Sequence, residues 1–360
     1  MITGSHNPPE YNGFKVSVGT ATLHGPEIQV LREIADSEDF EVGRGTVEQE
    51  QVLERYVEEI SSSFGVLQGK PHVVVDCGNG TAALAATRIY RNLGCRVDPL
   101  FCEVDGNFPN HHPDPTVEEF LQDLIREVRE RKADLGLAFD GDSDRIGAVD
   151  DTGRIIWGDQ LMILYSREIL KEHPGATFIA EVKCSKNLYE DIQRHGGRAI
   201  MWKAGHSLIK AKLKEEKALL AGEMSGHMFF ADRYYGFDDA LYAGARLLEI
   251  CSRSEQKLSQ MLSDLPETFA TPEIRVECPD SVKFEVVRQA QEEFSRSHET
   301  VTVDGVRIMF EDGWGLIRAS NTQPALVLRF EAESPERLAQ IRSLIEQKLD
   351  EIMNEAETGV

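Results

Sequence analysis

The densest chemistry in the sequence is Asp140-Gly141-Asp142-Ser143-Asp144-Arg145, where three carboxylates alternate with small residues and an arginine follows at once. A hard divalent cation such as Mg²⁺ takes oxygen ligands, few of them from protein, and completes its shell with water or a substrate phosphate. Three aspartates two apart on a Gly/Ser turn can converge on one ion, so Asp140, Asp142 and Asp144 are candidate metal ligands. A solvated acidic turn is the plain alternative. It is disfavoured because the turn lies between apolar runs, 135–139 and 146–149, that read as short buried strands. An EF-hand shares the acidic spacing at 140, 142, 144 and 151. It fails because Arg145 stands where that loop needs glycine and strands flank it instead of helices.

The second reactive stretch is near the front, Thr3-Gly4-Ser5-His6-Asn7-Pro8, a polar loop whose backbone N–H groups could cradle an anion. Ser5 is a candidate nucleophile or phosphate carrier, and Lys15 returns a positive charge ten residues later. Standing alone, this loop would be an ordinary polar turn. Two lysines, Lys183 and Lys203, follow predicted strands at 178–180 and 199–202, at the carboxyl ends where open α/β sheets bind ligands. With His206 at the start of a helix, they suggest an anion site. Farther on, Arg318-Ala319-Ser320-Asn321-Thr322-Gln323-Pro324 is rich in donors and Arg329 follows it; arginine forks and hydroxyls suit a phosphate dianion.

The elements that must position these residues read as successive α/β units. Residues 27–65 carry helical periodicity and look like the end of one unit and a connector. A strand at 72–75, a glycine turn at 77–81, a helix at 82–93 and a strand at 95–101 make a βαβ unit. The turn is too weak a match for a dinucleotide fingerprint and reads as a tight strand-to-helix connection. His111 and His112, adjacent on an extended chain, should point to opposite sides and are read as structural. A helix at 117–130 precedes the metal-site strands; helices at 161–170, 188–195, 237–252 and 258–265 belong to the next unit. The last unit changes style. Strands at 274–278, 306–310, 314–318 and 326–330 with helices at 282–294 and 335–352 predict an α+β lid.

A length of 360 residues supports two to four domains. The net charge of −23 argues against nucleic-acid binding, so cations serving a phosphate must be concentrated locally. The six cysteines (77, 95, 102, 184, 251, 278) lack metal-type spacing and read as reduced thiols. No apolar run reaches transmembrane length and no leader opens the chain, so a cytoplasmic protein without a membrane partner is expected.

Taken together, TGSHNP with Asn12-Gly13-Phe14-Lys15, the DGDSDR stretch, Gly222-Glu223-Met224-Ser225-Gly226-His227, and residues 318–324 resemble, in order, four loops of the α-D-phosphohexomutases. These are the phosphoserine, metal, sugar-recognition and phosphate-binding loops, and the match is closest to the bacterial phosphomannomutase/phosphoglucomutase branch. The resemblance implies α/β units with mixed sheets around a central cleft plus the C-terminal lid. Its domains would be 1–65 (a remnant of a first α/β domain), 66–151, 152–268 and 269–360. It implies a mutase that moves phosphate between C6 and C1 of mannose or glucose through phosphoserine and a hexose 1,6-bisphosphate, which would also serve as activator. Mg²⁺ would sit on Ser5, Asp140, Asp142 and Asp144, with Lys15 and Arg145 stabilising the transferred charge. His227 is implied in acid/base work or in orienting substrate. Substrate contacts would come from His6, Lys183, Lys203, His206, Glu223, Ser225, Arg318, Ser320, Asn321, Thr322 and Arg329, with Ala204 replacing a usual threonine. A monomer is expected. So is the absence of most of the first domain, leaving a binding-only remnant as the alternative reading. Phosphoglucosamine mutase is the other alternative, and Met224 argues against it. A haloacid-dehalogenase phosphatase is disfavoured because no Asp-x-Asp-Gly-Thr string occurs.

Overall fold

The computed structural model describes all residues except His6, Pro8, Pro9, Thr20, Asn321, Thr322, Gly359 and Val360. Among the described residues there are four sheets, one of which is only the ribbon Ser17–Val18/Ala21–Thr22. The front segment is tied by a bridge between Ile2 and Phe14 and by Lys15 N donating to the Met1 carbonyl. Helix Pro26–Ser37 starts at a proline, as a helix first turn allows, yet none of its residues is buried. Phe14 and Val18 are each 71 % exposed, so apolar surface gathers around residues 1–30.

Helix Val52–Phe64 docks Val57 and Ile60 into the main core, which is continuous across the next two units. The first of these is a five-stranded sheet ordered Arg96–Leu100, His72–Asp76, Leu135–Phe139, Ile146–Asp150, Ile155–Ile156. The first three strands are parallel and the last two antiparallel, so the metal loop is a hairpin turn between Leu135–Phe139 and Ile146–Asp150. Both hairpin strands are buried along their whole length, which is why they read as unbroken apolar runs. The second unit has the order Met228–Phe230, Leu220–Gly222, Thr177–Glu181, Arg198–Trp202, with only Met228–Phe230 antiparallel. The expected mixed sheets are thus observed.

Three helical expectations differ. Residues 82–93 divide into a 3-10 turn, Thr81–Leu84, and a helix, Ala86–Asn92. The predicted 117–130 helix likewise opens as a 3-10 turn, Glu118–Leu121, before Gln122–Arg131. Of 258–265, only Leu258–Gln260 is helical, because Leu258 and Leu262 can bury on turns without a regular helix. His111 and His112 also depart from opposed orientations. The chain bends there, and both rings pack on Phe120 (centroids 6.3 and 5.6 Å), while His111 Nε2 reaches Asp76 Oδ2 at 3.1 Å.

The C-terminal sheet places Phe269–Ala270 and Ile274–Glu277 on Ala325–Ala332, followed by Gly313–Ala319, Val306–Phe310 and Glu299–Val301, all antiparallel. Alternation decides its two faces. Val306, Ile308, Ile317, Leu328 and Phe330 join the core with helices Lys283–Phe294 and Pro335–Thr358. On the other face Trp314 and Leu316 pack on Val182 of the preceding unit. The fully buried Arg307 there stacks 3.7 Å from the Trp314 ring centroid, and its Nη1 donates to the carbonyls of Val182 and Cys184 (2.7 and 2.8 Å). Trp314→Ala should therefore cost about 3–5 kcal/mol and uncouple the lid, resolving a separate lid transition in calorimetry. A single unshifted transition would contradict this account.

Candidate active site

Four loops meet at the turn between the metal-loop strands. Thr3 Oγ1 donates to Asp142 Oδ2 (2.7 Å) and accepts from Ser5 N (2.8 Å), while Ser5 Oγ donates to Asp140 Oδ2 at 3.1 Å. Ser5 itself lies at φ 53°, a left-handed conformation that non-glycine residues seldom hold without a surrounding framework. The two loops touch so closely that a side chain on Gly141 would collide with the Ser5 carbonyl. Behind them the glycine turn acts as a buttress: Thr81 N and Oγ1 donate to the Gly141 carbonyl (3.0 and 3.2 Å), and Thr81 Oγ1 is 2.7 Å from Ser143 Oγ. The sugar-recognition loop joins by backbone: Ile146 N donates to Gly226 O (3.1 Å), and Arg145 bridges His227 in antiparallel fashion. Gly226 has φ +91° and lies against the Ile146 backbone, so only glycine fits.

Oxygens of Asp140, Asp142 and Asp144 all lie within 4.8 Å of one another. Burial, then repulsion from Asp144 and Asp142, pushes the Asp140 pKa well up. Burial alone would raise Asp144 too, but hydrogen bonding to His227 and the charge of Lys15 hold it below the usual carboxylate range. Lys15 Nζ pairs with Asp142 Oδ2 (3.2 Å) and with Asp144; despite partial burial these carboxylates raise its pKa. Asp142 Oδ1 is buried with no hydrogen-bond donor among the described residues. An all-oxygen donor set, mutual repulsion and an unsatisfied buried acceptor fit a hard divalent cation. The chain therefore contains an acidic metal-binding cluster.

His227 is clasped by Glu223 Oε2 at Nδ1 (2.7 Å) and Asp144 Oδ1 at Nε2 (3.2 Å), with Ser225 Oγ 3.0 Å from Nδ1. Burial would lower its pKa, but these partners outweigh burial and raise it to about 10. Arg145 Nε also lies 3.3 Å from His227 Nε2. Glu223 Oε1 also accepts from Gly205 N (2.6 Å), fixing the turn before helix His206–Glu216.

The two strand-end lysines are not equivalent. Lys183 is half-buried and paired with Glu181 Oε1 (3.4 Å) and with Glu273 from the lid. Lys203 is exposed and has no ion pair among the described residues. His206 packs on His227 (centroids 5.9 Å) with its Nδ1 3.6 Å from Asp238 Oδ2; burial lowers its pKa. In the lid, Arg318 Nε donates to Asp304 Oδ2 (3.0 Å), which also accepts from Ala204 N (3.0 Å). Ser320 N donates to the Ala325 carbonyl, and the carbonyls of Ser320 and Gln323 accept from Lys283 Nζ (2.6 and 3.0 Å). Arg329 lies on the lid face that meets the preceding unit, buried, with Nε unpartnered among the described residues. His6, Asn321 and Thr322 lie outside the described residues.

Sequence reasoning passed over Thr3 as an anchor, Glu181, Asp238, Asp304 and Lys283. Each is a single charged or polar residue that reaches a partner at least 14 positions away, as Thr3 reaches Asp142 and Asp304 reaches Arg318, so local pattern carries little signal. Met224 N donates to Glu181 Oε1 (2.8 Å), placing that buried carboxyl under the sugar loop. Burial outweighs the attraction of Lys183 and raises Glu181 to about 7. A raised carboxyl favours the fold while protonated, and that contribution is lost as pH climbs through 7. Glu181→Gln should therefore gain on the parent chain by up to about 3 kcal/mol between pH 4.5 and pH 8. Melting temperatures across that range test this, and a pH-independent gap would refute it.

Comparison with known proteins follows the same layout. Families described as phosphoglucomutase/phosphomannomutase alpha/beta/alpha domains I, II and III match residues 1–42, 54–153 and 157–269, and the family's C-terminal domain matches 273–348. A phosphomannomutase/phosphoglucomutase of Pseudomonas aeruginosa is 50 % identical over 97 % of this chain and 75 % of its own length. A phosphoglucomutase of Neisseria gonorrhoeae is 47 % identical over 95 % of this chain and 75 % of its own. The crystal structure of a phosphoglucomutase/phosphomannomutase family protein from Burkholderia thailandensis superposes with a TM-score of 0.92 at 46 % identity, covering 98 % of this chain and 75 % of that one. Sequence, sheet order and loop placement together make the chain a member of the phosphoglucomutase/phosphomannomutase family of phosphomutases.

Proposed function

We propose that this chain interconverts the 1- and 6-phosphates of mannose or glucose by passing a phosphoryl group through Ser5. The observation that carries this reading is Ser5 Oγ, 3.1 Å from Asp140 Oδ2 and flanked by the cations of Lys15 and Arg145. Phosphorylated Ser5 transfers its phosphoryl group to the free hydroxyl of a hexose monophosphate, giving a 1,6-bisphosphate that turns round and returns its other phosphate to the serine. The hexose 1,6-bisphosphate also serves as activator, since it restores phosphate to an unloaded Ser5. Mg²⁺ held by Asp140, Asp142, Asp144 and a phosphoserine oxygen would neutralise charge on the transferring group. Lys15 and Arg145 stabilise that same charge.

His227, clasped by Glu223 and Asp144, does acid/base work or orients the substrate, and His206 beside it contacts the substrate. Glu223 and Ser225 hold sugar hydroxyls. Arg318, Ser320, Asn321 and Thr322 hold the phosphate that does not react, and Lys183, Lys203, His6 and Arg329 make further substrate contacts. This gripping role supports a lid that releases and re-engages between half-reactions. The chain is proposed to act as a cytoplasmic monomer; among the described residues no helix is long and apolar enough to cross a membrane. One observation favours the binding-only reading: the exposed apolar surface around residues 1–30.

A coupled assay with mannose 1-phosphate and glucose 1-phosphate, Mg²⁺ and a trace of hexose bisphosphate separates the readings. Ser5→Ala should lose at least about 1,000-fold in turnover with an unchanged melting temperature, as removal of a covalent carrier predicts. No turnover in the parent chain, with sugar phosphate still bound, would instead establish the binding-only reading. Gly141→Ala, which pushes the serine and metal loops apart, should cost about 100-fold in turnover. Activity of that variant equal to the parent's would show that the contact of the two loops does not set the reaction geometry.

A further inference from the structure

Two thiols meet beneath the metal loop. Cys77 follows strand His72–Asp76 and is fully buried; Cys102 lies two residues beyond strand Arg96–Leu100 and is half-buried. The strands are parallel neighbours in register Asp76↔Leu100, and Cys77 N donates to the Leu100 carbonyl at 3.0 Å. This register brings the two Sγ atoms to 3.0 Å. A disulfide of about 2.05 Å then needs only about 1 Å of further approach. Sharing a proton with Cys77 lowers the Cys102 thiol below its ordinary value, while the same contact and then burial raise Cys77. Of the two sulfurs, Cys102 is the one that solvent can reach and the more readily ionised, so oxidation starts there.

The pair sits at the root of the buttress turn. Gly80 N donates to the Cys77 carbonyl (2.7 Å), Asn79 N to Phe101 O (2.9 Å), and Thr81 holds the Gly141 carbonyl. Gly80 leaves no slack, because even a methyl group there would press on Gly141. The turn thus connects the sulfur pair directly to the loop that carries Asp140, Asp142 and Asp144.

We propose that Cys77 and Cys102 form a reversible disulfide when the protein meets a hydroperoxide, and that this bond reports oxidation to the metal loop. The Cys102 thiolate attacks the peroxide oxygen, the O–O bond breaks, and the departing oxygen leaves as water or alcohol after taking a proton. The resulting sulfenic acid is attacked by the Cys77 sulfur; the S–O bond breaks and water leaves with the Cys77 proton. The two thiols give up two electrons and the peroxide accepts them. The starting state is reduced: Cys77 and Cys102 are free thiols in the structure.

The test treats the full chain with increasing hydrogen peroxide, then caps remaining thiols and maps linkages by non-reducing peptide mass spectrometry. A 77–102 linked pair should form before any other cysteine is modified, with loss of two titratable thiols and recovery under dithiothreitol. The linkage readout is independent of activity. In Cys102→Ala and in Cys77→Ala, two independent removals of the pair, no linked peptide should appear. In the mutase assay the oxidised parent should turn over several-fold more slowly and need more Mg²⁺, and both changes should reverse on reduction. Oxidation of Cys102 to sulfinic or sulfonic acid with Cys77 still cappable, or a first linkage elsewhere, would overturn the disulfide. A 77–102 bond with turnover and Mg²⁺ requirement unchanged would overturn its link to the metal loop.

Discussion

Three carboxylates within 4.8 Å of one another repel strongly, and the rest of the structure serves to bring them cations. No single segment supplies enough positive charge in a chain with a net charge of −23. Lys15 comes from the front loop, Arg145 from the metal loop itself, and His227 from the neighbouring unit. Each arrives through backbone contacts that glycines permit: Gly141 under Ser5, Gly226 against Ile146, Gly80 against Gly141. The site is therefore a junction of loops, and its electrostatics depend on the units staying packed.

The lid shows the same economy on a larger scale. Its sheet buries apolar side chains toward two helices and directs Arg307, Arg329 and Glu331 toward the preceding unit. Glu331 Oε1 accepts from Trp314 Nε1 (2.8 Å) and from Lys186 N (3.0 Å), and Asp304 ties Arg318 to Ala204 N. A polar interface of this kind is specific in register yet separates more easily than an apolar core. That suits the gripping and releasing of phosphate proposed for the lid.

The front segment is the exception. Helix Pro26–Ser37 has an apolar stripe of Ile28, Leu31 and Ile34 at helical spacing, and each remains 37–41 % exposed. Its local order comes from periodicity and a proline at the first turn rather than from a core. Ser5 and Lys15 are held instead through Asp140, Asp142 and Asp144, so the reactive loop depends on the second unit more than on its own.

Local pattern was sufficient wherever chemistry and geometry are close in sequence. The alternating aspartates, the apolar strands around them, the βαβ turn and the switch to an α+β lid were all legible, because pleat, helix period and turn chemistry act over a few residues. Pattern failed at 258–265, where burial of Leu258 and Leu262 mimics a helix, and at His111–His112, where a bend overrides alternation. It could not reveal Asp238 beside His206, Asp304 between Arg318 and Ala204, or Cys102 against Cys77, whose spacing in the chain carries no signal. The sequence by itself determined which residue types could bind metal, carry phosphate and hold a sugar phosphate. Only the tertiary structure decided which charges neutralise which, because a Coulomb interaction depends on distances of a few ångströms that strand register and loop contact set across the chain.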